Sequence, residues 1–157
     1  MNGNLELPAF GNAGRAEMKA EVFLPDDYRP ADGEPFMNEL QLEYFRRKLL
    51  NWRADLLSDS RDTVAGMKDQ TRNIPDIADR ASEETDRSLE LRTRDRQRKL
   101  VSKIDAALRR IDEGEFGYCE ITGEPISLKR LDARPIATMS LEAQERHERR
   151  EKVHRDD

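Results

Sequence analysis

The chain has 157 residues, of which 39% are charged, 36% hydrophobic and 6% aromatic, with a formal net charge of −5. This composition is too polar for a compact β-sandwich or doubly wound α/β domain, in which about half of the residues are apolar. Long helices that bury one stripe and leave the rest in water fit it better. No apolar run approaches the roughly 18 residues of a membrane span, and the N-terminus has no signal-peptide pattern. We therefore expect a cytoplasmic protein without membrane contacts, and the acidic charge argues against general DNA binding.

Residues 1–35 predict an N-terminal arm. They contain four of the seven prolines and four of the eight glycines, with few apolar residues. Such a composition is typical of mostly irregular chain. Within the arm, Val22–Leu24 is the segment expected to dock on the globular part.

A first long helix is predicted from about residue 38 to about residue 71. Asn38 and Gln41 have the spacing of a capping box. Apolar residues then recur at the 3-4 spacing of a heptad seam. These residues are Leu42, Phe45, Leu49, Trp52 and Leu56.

A second long helix follows after turn-forming residues at 73–76, with Asp79 as its expected N-cap and Gly114 just beyond its end. Its apolar stripe has a polar middle. The stripe comprises Leu89, Thr93, Arg96, Leu100, Ile104, Ala107 and Ile111. Two long helices joined by a short turn predict an antiparallel coiled-coil hairpin over 36–113, with its tip at about 72–80. We expect the base, which is more apolar, to hold the hairpin together.

The remaining chain predicts a small globular region at 114–139 and a charged C-terminal helix at 140–157. Positions 119, 122, 140 and 143 have the C-x2-C-x17-C-x2-C spacing of a four-thiolate zinc site. They are occupied by Cys119, Thr122, Ser140 and Ala143. Because one thiolate is too few for a structural zinc, we expect a zinc-ribbon-like shape without metal. The predicted fold class is thus mainly α.

Charge is distributed unevenly along the predicted hairpin. Residues 73–86 carry five acidic side chains and one basic one, whereas 87–110 carry nine basic and three acidic ones. A helix surface covered with ion pairs explains such a pattern on composition alone. The chain has no nucleophile–base, Walker or metalloprotease motif, so we do not expect an enzyme.

Several short motifs, taken together, resemble the DksA/TraR family from about residue 33 to the C-terminus. They are Met37-Asn38-Glu39, Phe45-Arg46-Arg47, Asn51-Trp52-Arg53, Pro75-Asp76-Ile77-Ala78-Asp79-Arg80-Ala81, Ser88-Leu89-Glu90-Leu91-Arg92, Arg94-Asp95-Arg96, Phe116-Gly117-Tyr118-Cys119-Glu120 and Arg130-Leu131-Asp132-Ala133-Arg134-Pro135. The resemblance implies a bacterial transcription factor that binds RNA polymerase rather than DNA. Such factors insert a hairpin into the secondary channel, alter open-complex stability and act with guanosine tetraphosphate (ppGpp) in the stringent response.

The resemblance also implies roles for particular residues. The family's D-x-x-D-x-A tip motif, which acts at the polymerase active centre, matches Asp76, Asp79 and Ala81. Arg92 and Arg96 match positions on the arm that are associated with polymerase docking or with the ppGpp response. The family's ppGpp site at the polymerase interface is matched by Leu100, Lys103 and Arg134, with Gln144 in place of its last lysine. The missing zinc ligands are the main departure from the family.

Two other functions stay open at this point. A Gre-type transcript-cleavage factor has the same hairpin and uses tip acids to hold Mg²⁺, but the tip sequence here fits the DksA/TraR family better. A plain coiled-coil interaction protein would not explain an acidic tip beside a basic arm. We expect the free protein to be a monomer.

Overall fold

The computed structural model describes residues 22–70 and 76–155. Four helices follow one another in this part of the chain: α1 (Glu39–Gln70), α2 (Ile77–Glu113), α3 (Leu128–Ala133) and α4 (Leu141–Arg155). The described residues form no β-strand, and the one β-bridge among them joins Tyr118 and Pro125. The predicted mainly helical fold is confirmed.

The bases of α1 and α2 pack against each other as an antiparallel pair. Phe45 and Leu49 of α1 are fully buried, and the buried residues of α2 are Ile104, Ala107 and Ile111. Two ion pairs cross between the helices, Arg46–Asp112 and Arg53–Asp105, each at 2.8 Å. Arg53 lies seven residues after Arg46, and its partner Asp105 lies seven residues before Asp112. The two ion pairs therefore belong to the same antiparallel register.

Burial decreases from the base of the hairpin toward its tip. Leu89 and Leu91 are 55% and 52% exposed. The predicted stripe is wrong in its polar middle, because Thr93 and Arg96 are exposed whereas Gln97 is half-buried. The reason is the helical register, since the buried Ile104 places the residue seven positions earlier on the face toward α1. The base therefore holds the hairpin together, as expected.

Both long helices begin with a side-chain cap, but the residues and hydrogen bonds of these caps differ in part from those that the sequence predicted. At α1, Asn38 Oδ1 accepts from the Gln41 amide at 2.9 Å, while Gln41 Oε1 accepts from the Met37 amide at 2.8 Å rather than from Asn38. At α2 the N-cap is Asp76, whose Oδ1 accepts from the Ile77 amide at 2.6 Å.

The prediction of Asp79 as the N-cap of α2 is wrong. Asp79 lies in the first turn of α2, because the helix begins three residues earlier than expected. An acid there still interacts favourably with the positive end of the helix dipole. At the other end Gly114 has a φ of 78° and donates to the Arg110 and Ile111 carbonyls, which confirms the predicted glycine stop.

The globular region packs directly on the base of the hairpin. The Phe116 ring lies 5.4 Å from the Phe45 ring between centroids. The buried hydrophobic residues of the core cluster in this region, together with Ala143 of α4, belong to the same core. They are Cys119, Ile126, Leu128, Leu131, Ile136, Ala137 and Ala143. One continuous core therefore fixes the globular region on the hairpin.

Residues 22–38 wrap around the base of α1. Gln41 is fully buried, and its Nε2 donates to Glu34 at 3.2 Å. The Tyr28 hydroxyl also donates to Glu34, at 2.5 Å, and burial together with this bond raises the pKa of Tyr28 to about 12. The Tyr28 ring packs edge-on against Tyr44. The rest of the predicted arm, residues 1–21, lies outside the described residues.

Candidate functional site

The acidic tip residues stand at the start of α2. Asp76, Asp79 and Ala81 are all exposed. Asp76 uses Oδ1 to cap the helix, and Asp79 follows one turn later. Two carboxylates three residues apart on a helix lie on one side of it. Residues 71–75, which include part of the predicted tip, lie outside the described residues.

Arg92 and Arg96 are exposed on α2 and lie on one face of it, four residues apart. Lys99 and Lys103 continue this face at a spacing of three and four residues, and we call these four residues the basic stripe. Lys99 pairs with Asp95 at 2.9 Å. Within the described chain no carboxylate lies at ion-pair distance from Arg92 or Arg96. The guanidinium groups of Arg92 and Arg96 therefore present uncancelled positive charge to solvent.

The predicted ppGpp residues Lys103, Arg134 and Gln144 line a single cavity of about 260 Å³ between α2, the globular region and α4. Arg110 and Arg130 line it as well. These five residues define what we call the cationic pocket. Leu100, the fourth predicted ppGpp residue, does not line this cavity and is partly buried against the core.

Four of these five residues are cations, and one carboxylate, Glu120, also lines the cavity. Among the described residues only one of the four cations has a carboxylate partner. Arg110 pairs with Glu120 at 3.4 Å and donates to the Tyr118 carbonyl at 2.7 Å. Lys103 and Arg134 lie in the part of the chain that the structure describes without any carboxylate at ion-pair distance. Uncancelled cations in a concave site favour an anionic ligand such as phosphate.

Sequence reasoning missed two of the pocket residues, Arg110 and Arg130, of which Arg130 has no carboxylate partner in the described chain. Arg130 Nε donates to the Met139 carbonyl at 3.0 Å, and its Nη2 donates to Gln144 Oε1 at 2.5 Å. Gln144 Nε2 in turn donates to Glu148 at 2.9 Å. The only sequence signal was that Arg130 opens one of the quoted family motifs, whereas its place in the pocket depends on its bonds to Met139 and to Gln144 of α4.

The four positions with zinc-site spacing come together in the structure. Thr122 and Ser140 both donate hydrogen bonds to the Cys119 sulfur. Ala143 is 2% exposed in the same core as Cys119. A methyl group supplies no ligand, and hydroxyls are poor ligands for zinc. The described residues contain no group of three or more His, Cys, Asp or Glu side chains arranged to hold a metal ion. This donor set does not fit a structural zinc.

Cys119 has an unusual environment for a buried thiol. Burial by itself raises its pKa. Hydrogen bonds from the Thr122 hydroxyl and from the Ser140, Thr122 and Ile121 amides together outweigh that effect and lower the pKa from the ordinary 9.0 to about 6. The thiol is 3% exposed, so access to it in the folded protein is poor. Four donors thus surround one sulfur where the spacing suggested a metal.

Comparison with known families assigns both parts of the molecule. Residues 41–111 match the model for the DnaK suppressor protein DksA, N-terminal domain. Residues 114–149 match the prokaryotic dksA/traR C4-type zinc finger. A Caulobacter vibrioides protein named RNA polymerase-binding transcription factor DksA is 69% identical over 131 residues, which is 83% of this chain and 92% of that protein. The chain belongs to the DksA/TraR family.

More distant relatives have the same or a similar name. The Escherichia coli K12 protein is 45% identical over 127 residues, covering 81% of this chain and 84% of its own. The structure of transcription factor DksA2 from Pseudomonas aeruginosa aligns with a TM-score of 0.71 and 41% identity, over 76% of this chain and 95% of that one. The resemblance predicted from short motifs is confirmed. In the described part of the chain, no helix combines the length and hydrophobicity needed to cross a membrane.

Proposed function

We propose that this protein is a cytoplasmic transcription regulator that binds RNA polymerase directly, through the secondary channel and without binding DNA. The observation that carries the proposal is the 69% identity to a relative named as an RNA polymerase-binding transcription factor, of which this chain covers 92%. The regulator performs no chemistry of its own. It acts as a monomer by changing the stability of the open complex.

The tip is the proposed effector. The 37 residues of α2 correspond to a length of about 55 Å, so the tip is held far from the globular region. Asp76 and Asp79 bring negative charge to that end. Such a tip suits a channel that ends at catalytic metal ions and basic groups. Ala81 completes the family motif one half-turn further along α2.

The basic stripe and the cationic pocket are the proposed docking and co-effector sites. The exposed Arg92 and Arg96 suit an acidic channel rim, because charge complementarity steers association and sets register. Lys103 and Arg134 present uncancelled charge for the phosphates of ppGpp. Gln144 adds hydrogen bonds there without adding charge, and Leu100 packs beside the pocket. We propose that no zinc is bound.

In vitro transcription from a ribosomal RNA promoter tests this function. Purified cognate polymerase is assayed with and without the protein and ppGpp, in the presence of a zinc chelator. We expect inhibition that deepens with ppGpp and survives chelation, and metal analysis is expected to find no stoichiometric zinc. Cleavage of transcripts in backtracked complexes without inhibition would instead favour the Gre-type reading. Absence of polymerase binding would contradict both.

The tip assignment predicts a separation of binding from regulation. Asp79→Asn removes one exposed charge and leaves the Asp76 cap in place, so we expect regulation to be lost while polymerase affinity changes less than about threefold. Asp86→Asn, which removes an exposed acid from α2 away from the motif, is the matched control and should regulate normally. Loss of polymerase binding in Asp79→Asn would contradict the effector role.

A further inference from the structure

Two cations of the pocket, Arg110 and Arg130, lie outside the residues matched to the family's ppGpp site, and Arg110 is paired with Glu120. A guanidinium carries five N–H donors. Arg130 directs one of them to the Met139 carbonyl and one to Gln144 Oε1, which leaves three for other partners. No carboxylate lies at ion-pair distance from Arg130 within residues 22–70 and 76–155. The positive charge of this side chain, at the wall of the cavity, is therefore uncancelled.

Gln144 is itself held at both ends of its amide. Its oxygen accepts from Arg130 at 2.5 Å, and its nitrogen donates to Glu148 at 2.9 Å. The chain of bonds connects α4 to α3 and restrains the planar guanidinium in one orientation. Because the amide is neutral, it orients Arg130 without cancelling its charge. A carboxylate at position 144 would form an ion pair with the guanidinium and consume the charge that an anion needs.

We propose that Arg130 is a phosphate-binding residue of the cationic pocket and that Gln144 is its positioning residue. The ligand class is a nucleotide carrying a diphosphate group, and the inference rests on the proposed function, in which that nucleotide is ppGpp. A planar guanidinium with paired N–H donors matches two phosphate oxygens at once. With Lys103 and Arg134, Arg130 brings the number of uncancelled cations in the pocket to three.

The first test is a ppGpp titration in the transcription assay, with each variant normalised to its own inhibition without ppGpp. Arg130→Ala should raise the ppGpp concentration for half-maximal effect about tenfold or more, because it removes hydrogen bonds from a charged donor to a charged ligand. Arg130→Lys keeps a cation but loses the planar pair of donors and should fall between. The matched control is Lys129→Ala, which removes an exposed neighbouring cation of α3 that does not line the pocket.

The second test separates positioning from folding. Gln144→Leu should raise the half-maximal ppGpp concentration about threefold to tenfold, and the double variant with Arg130→Ala should be no worse than Arg130→Ala alone. Independent, additive losses would overturn the positioning role. Gln144→Glu keeps the acceptor but adds a charge, so we expect it to weaken the response at least as much as Gln144→Leu. A wild-type response in Gln144→Glu would also overturn the proposal.

The outcomes distinguish this inference from the function on which it rests. If the wild-type protein neither binds polymerase nor inhibits transcription, the proposed function fails and the inference fails with it. If the wild-type protein responds to ppGpp but Arg130→Ala and Lys129→Ala respond at the same concentration, the inference alone fails. Should Arg130→Ala unfold at the assay temperature, Arg130→Lys and Gln144→Glu decide the same question.

Discussion

Cys119 occupies a position with zinc-site spacing and is surrounded by hydrogen-bond donors. The turn after it directs amide N–H groups at the sulfur, together with the Thr122 hydroxyl. These donors lower the pKa of the thiol to about 6, which favours the thiolate form of the sulfur. Hydrogen-bond donors thus supply part of the electrostatic stabilisation that a cation would otherwise give.

This environment predicts a pH-dependent stability. The pKa of Cys119 is about 6 in the folded protein and 9.0 ordinarily, so between these values the folded state holds fewer protons than the unfolded one. The contribution is fully present above about pH 9 and is lost as pH falls toward 6. Urea denaturation of the wild type and of Cys119→Ala at several pH values checks this. We expect the difference between the two to grow with pH, and a pH-independent difference would contradict the low pKa.

For individual residues, the sequence indicated which side chains could cap a helix better than which of them does so. Asp76 and Asp79 are both good capping residues three positions apart, and composition alone did not distinguish which one precedes the helix. The cap is Asp76. By contrast Gly114 was predictable, because a glycine after a long periodic segment has few other uses.

The hairpin is stabilised by a short buried seam at its base. Phe45 and Leu49 face Ile104, Ala107 and Ile111, while the leucines nearer the tip are about half exposed. The existence of the hairpin and the apolar character of its base were predictable from heptad spacing. The middle of the α2 stripe was not, because polar residues there gave no periodicity by which to fix the register.

Two neighbouring leucines test this seam directly. Leu49 is fully buried and Leu50 is 47% exposed. Leu49→Ala should lower the free energy of unfolding by about 2–5 kcal/mol, because it removes buried volume from the core. Leu50→Ala, the matched control, should cost less than about 1 kcal/mol. Urea denaturation measures both values, and equal losses would show that the seam runs elsewhere.

At the scale of the whole molecule, residues 22–38 connect the hairpin to the globular region. Met37 has a φ of 54° and lies against Gly117. The Phe36 ring packs edge-on against Tyr118 at 5.4 Å between centroids. This packing was not predictable, because it joins parts of the chain about 80 residues apart that share no local pattern. The cationic pocket, built from several elements, escaped complete prediction for the same reason.

Gly117 and Gly123 provide a matched test of that connection. Both have positive φ, 89° and 71°, so alanine costs about 1–2 kcal/mol at either position. A Cβ at Gly117 would also lie 2.9–3.0 Å from Met37, whereas a Cβ at Gly123 meets nothing within 4 Å. We expect Gly117→Ala to destabilise more, by about 1 kcal/mol or more. In a Met37→Ala background the excess should disappear, and an excess that persists there would contradict the contact.

Two ion pairs across the hairpin, Arg46–Asp112 and Arg53–Asp105, share one antiparallel register. This register fixes the length of the hairpin. An insertion or deletion in one arm alone would put every cross-arm partner above it out of step. The hairpin can change length only if both arms gain or lose whole heptads together. Each matched heptad moves the tip by about 10 Å. The distance from the base to the acidic end can therefore change only in steps of this size. Single insertions, natural or engineered, cannot adjust that distance finely.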